Sequence, residues 1–81
     1  MSHDVRYYIG PKRSPINAFR SAGGTWRFHG GTWFRKEDGL VVFKFWEDGA
    51  DLWEAFRDRR SVARAGHYDE LASKLAREGP K

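Results

Sequence analysis

The chain has 81 residues, no cysteine, 13 aromatic side chains and a formal net charge of +4. That length allows one domain, 1–81, with a small core that depends on large rings for its buried area. The lack of cysteine excludes disulfides, thiolate metal sites and cysteine nucleophiles. No apolar run is long enough to span a bilayer and no apolar stretch follows Met1, so a soluble, cytoplasmic protein is expected.

The charge is uneven. Residues 1–36 carry seven Lys/Arg against Asp4 alone, and residues 37–81 carry eight against ten acids. A basic half of this kind attracts phosphate backbones or an acidic protein face.

Val5, Tyr7 and Ile9 alternate with Arg6 and Tyr8, which predicts a strand over 5–9 ended by Gly10-Pro11. Tyr8-Ile9-Gly10 resembles the second half of the GIY-YIG nuclease signature, but no Gly-Ile-Tyr precedes it, and the chain as a whole resembles no family. Ser14-Pro15 reads as a helix start, with Ser14 as cap and Pro15 in the first turn. Ile16 and Phe19 share a face, and Gly23 or Gly24 ends a short helix over 15–22.

Gly23-Gly24-Thr25-Trp26 recurs as Gly30-Gly31-Thr32-Trp33. Two copies are too few for a repeat fold, and without a following Lys-Ser/Thr they form no P-loop. They read as turns that open two strands. A two-residue Gly30-Gly31 turn sets His29 opposite Thr32, Phe28 opposite Trp33 and Trp26 opposite Arg35. The resulting meander has strands at 25–29, 32–36 and 40–46. A two-residue Asp38-Gly39 turn would put Phe34, Val41, Phe43 and Phe45 together with Arg27, His29 and Lys36, whereas a three-residue Glu37-Asp38-Gly39 loop gives the cleaner faces. Trp26, Phe28, Trp33, Val41, Phe43 and Phe45 then form the core side, with Arg35 at the sheet edge. The other side holds Thr25, Arg27, His29, Thr32, Phe34, Lys36, Val42, Lys44 and Trp46.

Asp48 reads as an N-cap for a helix over 49–65, whose stripe is Leu52, Phe56 and Ala63. Early acids and late arginines suit its dipole. The Arg57-Asp58-Arg59-Arg60-Ser61 run is then a solvated helix end or a phosphate contact. A last helix over 68–78 carries Tyr68, Leu71, Ala72, Leu75 and Ala76 on one stripe and stops at Gly79-Pro80. The expected class is α+β, a three-stranded antiparallel meander packed against C-terminal helices.

No histidine spacing matches a metal site and no serine sits in a nucleophile elbow, so no metal or cofactor is implied and no catalytic residue is assigned. His29, Arg27, Lys44 and a tyrosine are the residues from which a metal-independent ribonuclease would be built. Interleaved basic and aromatic residues favour binding instead. Bases stack on rings, and Lys/Arg neutralise phosphates. The candidate surface is Arg6, Tyr8, Arg27, His29, Phe34, Lys36, Lys44 and Trp46, and nucleic acid, DNA or RNA, is the expected partner. The alternative is a protein-binding regulator or inhibitor, of the kind small phage or mobile elements encode, docked on an acidic partner. The open question is whether the 15–22 helix covers this face.

Overall fold

The computed structural model describes the backbone of Tyr7–Tyr8 and residues 15–78. Arg6, Ser14 and the ends of the 5–9 strand lie outside the described residues. The elements run β1 (Tyr7–Tyr8), α1 (Ile16–Ser21), β2 (Trp26–His29), β3 (Thr32–Arg35), β4 (Leu40–Glu47), β5 (Ala50–Arg57), β6 (Arg60–Ala65) and α2 (Tyr68–Glu78). Strands β2 to β6 form an antiparallel meander in chain order, and β1 pairs with β4. Because β5 occupies one edge of β4 along residues 41–47, β1 takes the other edge, beyond the end of β3. The α+β class, the three central strands, the N-terminal strand and the helices near 15–22 and 68–78 agree with the sequence reading.

The segment 49–65 is not a helix but a β-hairpin. Asp48 and Gly49 have φ of 53° and 79°, and Asp58 and Arg59 have φ of 53° and 67°. Each pair is a two-residue turn of the kind whose twist matches antiparallel strands, as is Gly30-Gly31. The helix reading fails because Leu52 and Phe56 are four apart, which places two residues on one face in a helix and in a strand alike. Ala, Leu, Glu and Arg in this segment favour helix intrinsically, but pairing on both sides of β5 overrides that preference. A bulge at Ala55/Phe56 leaves Val62 without a partner and turns it toward the core.

The β2–β3 register is the one expected. The β3–β4 register is not, because the loop has four residues, Lys36 to Gly39, and Leu40 lies opposite Arg35. One more loop residue moves all of β4 to the other face. Leu40, Val42 and Lys44 therefore face the helices, while Val41, Phe43 and Phe45 face away. Arg35 is not at a wet edge but fully buried.

The loop that sets this register is built on that arginine. Arg35 donates from Nε and Nη2 to the two oxygens of Asp38, at 2.9 and 2.8 Å, and from Nη1 to Gly23 O at 3.4 Å. Its guanidinium lies 5.4 Å from the Trp26 ring centre. Arg57 donates to the same carboxylate at 2.9 and 3.2 Å, and it also pairs with Glu78 of α2 at 3.5 Å. Hydrogen bonds from Arg35, reinforced by Arg57, hold the Asp38 carboxyl far below the usual carboxylate range despite its burial. Gly24 makes room for the arginine. A Cβ there would stand 2.5 Å from Arg35 Cδ, and its φ is +98°. Glu37 accepts from the Thr25 N–H and hydroxyl at 2.8 and 2.7 Å, and these bonds lower its pKa.

The core centres on Phe19 of α1. Its ring stacks on Trp26 at 4.9 Å and meets Trp33 and Trp53 edge-on at 5.7 and 6.1 Å. Leu71, Ala72 and Leu75 of α2 join it, so both helices lie on the Trp26/Trp33/Val42/Ala55 side of the sheet. Besides Val41, Phe43 and Phe45, three further side chains expected in this core sit elsewhere. Phe28 is half exposed and leans on Trp33. Leu52 and Phe56 lie on the far side of the sheet rather than against Leu71 and Leu75. No helix among the described residues is long and apolar enough to cross a membrane.

Candidate nucleic-acid interface

With both helices on one side, the other side of the sheet carries no helix among the described residues. The residues on it follow from the registers. Arg27 opposes Phe34, Phe34 opposes Val41, and Val41 opposes Phe56. Phe43 opposes Glu54, and Phe45 opposes Leu52. Aromatic and aliphatic side chains thus run across three strands, β3 to β5, with Arg27 of β2 at the end of the row. Phe34 is exposed, while Val41, Phe43, Phe45, Leu52 and Phe56 are partly so. Phe43 packs against Phe45 and Phe56, with ring centres 5.7 and 5.8 Å apart. Glu54 is buried on this side and accepts the Ser61 hydroxyl.

Two hollows open on this surface. One, of about 470 Å³, is lined by Arg27, His29, Thr32 and Phe34. The other, of about 310 Å³, is lined by Gly39, Val41, Phe43, Phe45, Phe56, Asp58 and Arg59. They adjoin where Phe34 pairs with Val41. Arg27, Lys36 and Arg59 are exposed and make no salt bridge among the described residues. The surface therefore combines flat rings with unpaired cations, which suits a ligand that has both planar and anionic parts.

The expected site residues divide between the two faces. Arg27, His29 and Phe34 come together in the larger hollow, and Lys36 stands in the β3–β4 loop. Tyr8 is described by its backbone alone, opposite Phe45. Lys44 and Trp46 belong to the helix side, a correction that follows from the four-residue loop. Lys44 is nearly buried, 3.6 Å from Asp51 and 5.8 Å from the Trp53 ring centre. The set His29, Arg27 and Lys44 is accordingly not assembled in one place. Phe43, Phe45, Phe56, Asp58 and Arg59 were not expected here. Treating Asp48-Gly49 as a hairpin turn between alternating runs is the signal that places the last three.

Among the described residues no group of three or more His, Asp or Glu is placed to hold a metal ion. Comparison with known proteins finds no matching family model, no similar curated protein and no matching solved structure. The geometry of the face is thus the basis for a functional reading.

Proposed function

We propose that this chain is a small non-catalytic protein that binds single-stranded nucleic acid across the helix-free face of its sheet. One observation carries the reading: a row of rings from Phe34 to Phe56 lies beside exposed Arg27, Lys36 and Arg59, which make no salt bridge among the described residues. Unstacked bases pack on aromatic side chains of such sheets, while Lys and Arg follow the phosphates. A duplex keeps its base faces stacked on one another and presents base edges and backbone, so it would leave the rings of this surface without a stacking partner.

A second reading, a protein-binding regulator, is supported by the smaller hollow, whose wall is mostly apolar and resembles the pocket of an interface anchor. Salt dependence separates the two. A labelled single-stranded octanucleotide, followed by anisotropy from low to high salt, should bind with log K falling linearly in log salt. Three phosphate contacts give a slope of about −2. Absence of binding at low salt would sink the nucleic-acid reading and leave the protein partner as the one to seek by pull-down.

A further inference from the structure

The β5–β6 turn is built at a cost that its role as a connector does not require. Asp58 and Arg59 both have positive φ, whereas Gly30-Gly31 and Asp48-Gly49 each place a glycine second. An arginine Cβ crowds its own backbone in that region, and glycine or asparagine would make the same turn with less strain. Strain of this kind, held at a surface, points to a functional demand on the side chain. The same two residues line the smaller hollow together with Phe43, Phe45 and Phe56. At about 310 Å³ the hollow is at the lower limit of small-ligand sites, a size for one ring system rather than a large ligand.

We propose that this hollow is a base-selecting subsite. It takes a base that carries an exocyclic amino group in preference to one with a carbonyl oxygen in that place. The ring stacks on the phenylalanines, the Asp58 carboxylate accepts a hydrogen bond from the amino group, and Arg59 holds the neighbouring phosphate. Carboxylates pair with the N4 amino group of cytosine, whereas uracil and thymine present an oxygen there and would face the carboxylate with a second acceptor. The proposal rests on the nucleic-acid reading of the face and adds the base that one part of it prefers.

Cytidine and uridine octanucleotides are the probes, because their bases are alike in size and differ at this group. The native protein should bind the cytidine octamer at least about fivefold more tightly. Asp58→Asn, which supplies a donor in place of the charge, should abolish or reverse that ratio. Arg59→Gly should weaken both octamers alike, make the salt slope shallower by about 0.7, and melt no lower than the native protein, since glycine relieves the turn. Equal binding of the two octamers by the native protein, a ratio that survives Asp58→Asn, or an Arg59→Gly protein with native affinity would overturn the subsite while leaving the nucleic-acid reading in place. Failure of both octamers to bind at low salt would overturn that reading and the subsite together.

Discussion

Arg35 and Asp38 form a two-pronged ion pair inside the protein, three residues apart and with both side chains almost fully withdrawn from solvent. The pair closes the four-residue loop, and the loop decides which face of β4 meets the helices. A buried charge is tolerated only with compensating bonds. Here Arg57, Gly23 O and the Trp26 ring supply the rest.

Removing one partner strands the others. Asp38→Ala leaves the guanidinium groups of Arg35 and Arg57 without their shared carboxylate and should lower stability by about 3–5 kcal/mol in urea melts. A loss below about 1 kcal/mol would mean that the pair is a surface-like contact.

Acid should act on the same loop. Asp38 and Glu37 both have folded-state pKa values below their unfolded ones, about 3.9 for Asp and 4.3 for Glu. The stability they contribute is complete above those unfolded values and is lost as pH falls toward the folded ones. Melting temperature should therefore decline progressively below about pH 4. The gap between the native protein and Asp38→Asn should narrow over the same range. A gap that stays constant down to pH 2 would separate Asp38 from the acid response.

Gly24→Ala tests the space around Arg35. The added methyl would meet the arginine stem and would also have to adopt φ of +98°. A loss of about 2 kcal/mol is expected from the backbone conformation and crowding together. A melt unchanged from native would show that Arg35 moves aside without loss.

The register itself is open to test by paired truncations. Leu40 is fully buried on the helix side, and Leu40→Ala should cost about 2–5 kcal/mol. Phe43 is half buried on the far side, and Phe43→Ala should cost about 1–2 kcal/mol. The reverse order would restore the three-residue loop that places Phe43 in the core.

Much of the fold is legible in the residues themselves. Gly30-Gly31 fixes its own turn because glycine alone moves freely into positive φ, and the pairing of His29 with Thr32 follows. Leu71, Ala72 and Leu75 repeat with a helical period that no strand accommodates. The β3–β4 loop is one residue longer than its pattern suggests, because Val41, Phe43 and Phe45 sort with Trp26 and Trp33 more cleanly than Leu40, Val42 and Lys44 do. Only the hydrogen bonds that Arg35 donates to Asp38 and Gly23 O, with Arg57 behind them, make the burial of that arginine acceptable, and the sequence pattern does not display those partners. In the 49–65 segment Leu52 and Phe56 fit either period, so helix propensity points the wrong way. The larger hollow is legible because Arg27, His29 and Phe34 depend on the β2–β3 hairpin, whose turn is unambiguous. The smaller one is not, since its wall comes from the β3–β4 loop and the 49–65 hairpin together.

The most direct measurement is a backbone amide NMR titration of the labelled protein with a single-stranded octanucleotide. Shift changes should concentrate on Arg27, Thr32, Phe34, Val41, Phe43, Phe56 and Arg59, and should spare the outward side of α2 at Ser73 and Arg77. Changes confined to the helices, or none at low salt, would contradict binding through the helix-free face.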